Sequence, residues 1–163
     1  LPESEEECEP AFGHFPAEDI PEVSLPGVAV AVIMGDAYGR SSPVTTYSPT
    51  LYLDCALSAG ATFRLPEGWE ELAIYTVDGE VDMDGESFAA GVMAIVEAGR
   101  PPTLQGSCES RVMVIGGDYL GPRTLFWNFV HSSPERIEQA KADWSAGRFA
   151  PVPGDDEFIP LPD

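Results

Sequence analysis

Two hydrophobic spacings recur along this chain, and the alternating one dominates. Over residues 50–57, Leu51, Leu53, Cys55 and Leu57 alternate with Tyr52, Asp54 and Ala56, the period of a strand with one uniformly apolar face. Short apolar runs broken by Gly, Pro and Asp predict further strands over 28–34, 61–65, 72–77, 81–83, 92–96, 111–115 and 124–130. Asp78 and Gly79 lie between two such runs, where a type I′ turn can use the positive φ open to glycine, so a tight hairpin is predicted there. The helical spacing occurs once. Ser133 suits an N-cap, Pro134 the first helical position and Glu135 the positive end of the macrodipole. Ile137, Ala140 and Trp144 then share a face that Glu138, Lys141 and Asp143 avoid, and Gly147 can close the C-terminus.

The ends follow a different pattern. Residues 1–24 carry Glu3, Glu5, Glu6, Glu7 and Glu9 among Pro2, Pro10, Pro16 and Pro21, which discourages helix and central strand alike and predicts a linker or extended arm. Strand-like segments fill 25–131, and 132–163 holds the helix and a proline-rich tail of the same domain. Phe158, Ile159 and Leu161 alternate with prolines in that tail, which makes it an extended segment with apolar anchors, expected to pack across a neighbour. No repeat of solenoid length is visible. Many strands followed by one late helix predict an all-β fold, an antiparallel sandwich or barrel of the jelly-roll kind.

Charge and cysteine usage narrow the function classes. Lys and Arg number 8 against 28 Asp and Glu, a formal charge of -20 that repels phosphate backbones and anionic lipid surfaces. Autonomous nucleic-acid or membrane binding is therefore not expected, whereas a basic protein partner remains open. Three cysteines without a CxxC spacing, Cys8, Cys55 and Cys108, suggest neither a disulfide framework nor a zinc knuckle, and a reducing, cytoplasmic setting is expected. The chain has no apolar run of membrane-spanning length and no secretory leader pattern, and because it begins at Leu1 an upstream portion is expected.

One succession of residues is more specific than any of these patterns. Trp127-Asn128-Phe129-Val130 is followed by Glu135-Arg136-Ile137, Ala140, Asp143-Trp144, Gly147-Arg148-Phe149 and the run Val152-Pro153-Gly154-Asp155-Asp156-Glu157-Phe158-Ile159-Pro160-Leu161-Pro162. This resembles the C-terminal signature of the pirin family. The stretches 35–39, 42–45, 50–54 and 75–80 and the pair Gly116-Gly117 also fall where the second half of that family has them. The resemblance implies a bicupin, two small β-barrels in tandem, with this chain as the second, cupin barrel. It implies iron held by histidines and a glutamate in a first barrel absent here, and a second barrel without metal. Some relatives degrade flavonols such as quercetin with dioxygen, and eukaryotic members are described as nuclear, iron-dependent transcription co-regulators.

Residue chemistry fits that implication. A mononuclear cupin metal site takes a His-x-His pair, a glutamate and a further histidine. The corresponding stretch here, 60–79, has no histidine, and its polar candidates Arg64, Glu67, Glu70, Glu71 and Tyr75 fit a solvated loop better than a site for a hard cation. His14 and His131, the two histidines of the chain, have no ligand-like sequence neighbours and are expected to be structural or solvated. No Ser or Cys stands beside a His and Asp pairing. Cys55 belongs to an apolar strand face, and Cys108 to a polar turn where it is open to oxidation. The run Gly116 to Gly121 lacks both GxGxxG spacing and a P-loop Lys, and is expected to be a tight connection between strands. Trp127 and Phe129 are expected on one face of a strand, with Trp144 on the helix facing them, as core.

No catalytic, cofactor-binding or metal-binding residue is therefore expected in this chain, and its expected partner is a pirin-like N-terminal barrel or a second copy of itself. The leading reading is a barrel that supports an iron-dependent, quercetin 2,3-dioxygenase-like partner. A protein-interaction module of a redox-responsive co-regulator and a ligand-binding barrel without catalysis are the alternatives.

Overall fold

In the computed structural model the described residues are 1–97, 102–155 and 157–162. Asp156 of the C-terminal signature lies outside them, as does the stretch 98–101 within the strand-rich region. By its own contacts the chain divides into two compact units, one of Glu9–Tyr119 and one of Leu1–Cys8 with Leu120–Asp163.

The larger unit is built from strands β1 (Glu22–Leu25), β2 (Val28–Met34), β3 (Asp36–Ala37), β4 (Arg40–Ser41), β5 (Thr50–Leu57), β6 (Thr62–Arg64), β7 (Glu71–Asp78), β8 (Glu80–Met83), β9 (Glu86–Ala89), β10 (Met93–Val96), β11 (Thr103–Gly106) and β12 (Ser110–Gly117). Six of them form one antiparallel sheet in the order β1-β2-β5-β12-β7-β10, and four form a second in the order β6-β11-β8-β9. The small β3–β4 hairpin stands apart from both.

Alternation places the core as the sequence predicts. Leu51, Leu53, Cys55 and Leu57 of β5 are buried, as are Val30 and Val32 of β2, Ile74 of β7 and Val112 and Val114 of β12. Phe63, Leu65, Val81 and Leu104, in or beside the smaller sheet, join the same cluster. Burial of each such side chain contributes roughly 1.5–3 kcal/mol.

The predicted Asp78-Gly79 hairpin does not form. β7 pairs with β10 and β12, whereas β8 pairs with β9 and β11, so Gly79 is the corner at which the chain leaves one sheet for the other. Its φ is 76°. A Cβ there would lie 2.4 Å from the Glu109 carbonyl oxygen and 2.5 Å from Ser110 Oγ, so both conformation and space demand glycine. Alternation registers which face a residue takes but not which strand it pairs with, and the same dipeptide serves either geometry. The buried Ser110 hydroxyl stitches the corner, accepting from the Glu80 N–H at 3.1 Å and donating to its carbonyl at 2.9 Å.

Gly116 and Gly117 also differ from expectation. They are the last residues of β12, and the connection to the next strand runs from Asp118 to Arg123.

In the smaller unit, the strand predicted over 124–130 is instead a hairpin of β13 (Thr124–Phe126) and β14 (Phe129–His131), with Phe126 opposite Phe129. The loop is Trp127-Asn128, and Trp127 takes a φ of 52°. A bulky residue in the left-handed region is unfavourable by roughly 1–2 kcal/mol, which is why the sequence gives no turn signal here. Helix α1 (Pro134–Ser145) follows its prediction. Ser133 Oγ accepts from the Arg136 N–H at 3.3 Å, Ile137 and Ala140 are buried, and Gly147, with a φ of 65°, donates to the Trp144 carbonyl. Among the described residues no helix is long and apolar enough to cross a membrane.

Candidate functional site

The space between the two sheets is the interior of the larger unit, so the donors that line it decide what that interior can hold. The inward faces of β5, β7 and β12 present mainly Leu, Ile and Val, with the Thr76 and Ser110 hydroxyls and the Cys55 thiol among them. The Thr76 hydroxyl donates to the Phe88 carbonyl at 3.3 Å and Ser110 is committed at the Gly79 corner. Burial, helped by the Asp54 carboxylate, pushes the Cys55 thiol up to about 12, so the thiolate that metals bind does not form at neutral pH. Burial likewise raises the Tyr38 phenol, which donates to the Arg64 carbonyl at 2.7 Å. Hydroxyls already engaged and a protonated thiol do not fit iron, which takes imidazole and carboxylate ligands.

The polar candidates of 60–79 are scattered. Arg64 pairs with Glu67 at 2.7 Å on the surface, and Glu70 accepts from the Tyr119 N–H at 3.0 Å. Glu71 is exposed at the start of β7, and Tyr75 is half-buried on the outward face of that strand. Among the described residues no three His, Cys, Asp or Glu side chains are grouped so as to hold a metal ion. His14 is exposed, and so are Cys8 and Cys108, while Cys55 is buried.

His131 has neighbours that sequence distance concealed. In the smaller unit Glu6 Oε2 lies 3.5 Å from its Nδ1 and Glu7 Oε1 lies 3.3 Å from its Nε2. The Ser133 N–H donates to Nδ1 at 2.9 Å, which leaves Nε2 on the side of Glu7. Glu6 is also ion-paired with Arg123 at 2.8 Å and accepts from both the hydroxyl and the N–H of Ser132, at 2.6 and 3.0 Å. The Ser132 hydroxyl bond, followed by its N–H bond and the nearby positive charges, holds the Glu6 carboxyl below the usual range against the opposing effect of desolvation. Glu7 is held down first by its bond to Arg136. Arg123 donates to the carbonyls of Leu1, Leu120 and Pro122, all within 3.0 Å. Each of these carboxylates has an arginine partner, and the result is a clamp on the N-terminal segment. The residues sequence reasoning missed are Glu6 and Glu7, because an acidic, proline-rich stretch carries no periodicity that marks it as packed.

Beside this clamp lies an aromatic cluster. Trp144 meets Trp127 at 5.1 Å, Phe149 at 5.5 Å and Phe158 at 5.9 Å between ring centroids. Its indole N–H donates to the Ile159 carbonyl at 2.8 Å, so the tail folds back onto α1. Trp127 and Phe129 do meet Trp144, as expected, but from a hairpin tip and not from one strand face. Phe158 and Ile159 nevertheless leave more than half of their surface exposed, at 58% and 56%.

Residues 52–150 match the family model of the pirin C-terminal cupin domain. The whole chain is 42% identical to a pirin-like protein of Caulobacter vibrioides while covering 57% of that protein. It is 33% identical to the pirin of Homo sapiens, over 88% of this chain and 52% of the other. Among solved structures, a quercetin 2,3-dioxygenase from Acinetobacter baumannii superposes with a TM-score of 0.91 at 26% identity, covering all of this chain and 56% of that one. The chain thus spans about half the length of the curated relatives it matches.

Proposed function

Because this chain belongs to the pirin family and matches its C-terminal cupin domain, we propose that it is the non-catalytic, metal-free half of a two-barrel protein, supporting an iron-dependent, quercetin 2,3-dioxygenase-like partner barrel. The observation that carries this reading is the interior of the sandwich, where side chains that would have to hold a metal are packed hydrocarbon, engaged hydroxyls and a thiol pushed up to about 12. Iron and the oxygen chemistry belong, on this reading, to the other barrel. The exposed Phe158 and Ile159 of the tail support a role as contact surface for a neighbour. Three unpaired thiols suit a reducing compartment, and the cytoplasm is the setting we assign.

Flavonol consumption under air tests the reading. The chain alone, supplied with ferrous iron, is expected to leave quercetin unchanged. Joined to the portion of a pirin-family relative that it does not match, it is expected to support quercetin loss with oxygen uptake. Turnover by the chain alone would refute the proposal.

A further inference from the structure

The segment Leu1–Cys8 belongs to the smaller unit, yet no apolar side chain anchors it there. Leu1 is 51% exposed and Cys8 is exposed. The side chain it covers deeply is a charged one, Glu6, at 5% exposure. Its grip is on residues 122 to 129 positions further along the chain, through the Leu1 carbonyl on Arg123, Glu6 on Ser132 and Glu7 on Arg136. Bonds from the Glu5 N–H to the Pro2 carbonyl and from the Cys8 N–H to the Glu5 carbonyl give the segment a turn of its own. Of its glutamates, Glu6 and Glu7 are read; among the described residues no ion pair joins Glu3 or Glu5 to the rest of the unit.

The receiving side is built against the trend of the chain. Two of eight Lys and Arg, Arg123 and Arg136, converge there with one of two histidines, His131, in a chain whose formal charge is -20. The strap does not saturate this cradle. Arg123 Nε and His131 Nε2 are buried with no hydrogen-bond partner among the described residues, although carboxylate oxygens stand 2.8 and 3.3 Å away. Guanidinium, hydroxyl and amide donors recognise a carboxylate whatever chain carries it, and here no apolar fit restricts the choice. Glu7 and Arg136, with side chains 63% and 37% exposed, are open to screening by salt, whereas Glu6 and Arg123 are covered and form the anchor. We infer that Leu1–Cys8 is an intramolecular pseudo-ligand, an exchangeable strap in a cradle of Arg123, His131, Ser132 and Arg136 that reads two consecutive carboxylates and takes an acidic segment supplied in trans when the strap leaves.

The probe is a fluorescently labelled peptide of residues 1–10 with Cys8→Ser, and the host is the 163-residue chain carrying Glu6→Gln and Glu7→Gln, which loosen its own strap. Fluorescence anisotropy is expected to show a dissociation constant of roughly 1 mM or below. Binding to the unmodified chain is expected to be about tenfold weaker or more, because the tethered strap competes at a roughly millimolar effective concentration. Glu3→Gln and Glu5→Gln in the peptide should not weaken binding, whereas Glu6→Gln and Glu7→Gln should abolish it. If the host variant does not fold, the unmodified chain carries the test: excess peptide is expected to speed hydrogen exchange of residues 1–8 several-fold while α1 keeps its protection. No binding to a folded host, equal binding of the peptide with Glu6→Gln and Glu7→Gln, or exchange of residues 1–8 indifferent to the peptide would overturn the inference. A dimer of the unmodified chain that exchanges straps would support it and identify a second copy as the source of the acidic segment.

Discussion

Arg136 holds Glu7 across 129 positions of sequence, donating from Nε to one carboxylate oxygen at 2.6 Å and from a terminal nitrogen to the other at 3.3 Å. With Arg123 on Glu6, it makes the first residues of the chain part of the helical unit. Both glutamates have carboxyl groups held below the ordinary range. A carboxyl depressed in the folded state contributes stability that is present above its unfolded value, about 4.3, and is lost as pH falls through the folded value. Hydrogen exchange of residues 1–8 is therefore expected to be slow at pH 7 and to accelerate, relative to intrinsic rates, below about pH 4. In E6Q, E7Q the same segment should exchange faster already at pH 7. An exchange rate insensitive to both changes would contradict the clamp.

Gly79 is expected to resist substitution. Its φ of 76° and the 2.4 Å that a Cβ would leave to the Glu109 carbonyl mean that Gly79→Ala adds backbone strain and a steric conflict at the corner joining the sheets. The expected loss is about 1–3 kcal/mol, read as a lowered melting temperature. Gly85 has a similar φ of 87° but nothing within 4 Å, so Gly85→Ala should cost less. Equal losses at the two positions would mean that backbone conformation alone matters.

Thiol titration separates the three cysteines. Cys8 and Cys108 are exposed and should react with an aromatic disulfide reagent in the native chain, while Cys55, buried and raised to about 12, should react only on unfolding. Fast native reaction of Cys55 would show that the interior admits solvent.

The core position Leu53 checks the packing from which the functional reading starts. It is fully buried at the centre of β5, and Leu53→Ala should destabilise by about 2–5 kcal/mol in urea unfolding. A negligible change would indicate a loosely filled interior with room for a ligand.

Trp144 ties the tail to the helix. Trp144→Phe keeps a ring but loses the N–H that donates to the Ile159 carbonyl, so residues 157–162 should become more susceptible to proteolysis with little change in helix content. Deleting residues from 155 onward should lower the melting temperature or weaken association with the other half, and no change in either would argue against the tail as an anchor.

The sequence was legible where burial is repetitive. Leu51 to Leu57 and the Ser133-Pro134 helix start rest on local periodicity and capping, and both appear as predicted. It was misleading where one dipeptide serves two geometries, as at Gly79, and where a residue pays no attention to local preference, as with Trp127 at a positive φ held by its aromatic neighbours. β1 was hidden because its four residues follow a proline-rich stretch, and β11 because Thr103–Gly106 contributes only Leu104 to the core. The Glu6, Glu7 and His131 grouping was illegible in principle from spacing, since only the fold brings residues so distant in the chain within 3.5 Å.

The central claim is that this half does not carry the metal, and metal content tests it most directly. The purified chain is incubated with ferrous iron under nitrogen, desalted and analysed by plasma mass spectrometry, beside the same chain joined to the portion of a pirin-family relative that it does not match. The account predicts background iron in the chain alone and stoichiometric iron in the joined protein. Stoichiometric iron retained by the chain alone would contradict it, and would direct attention to the carboxylates beside His131.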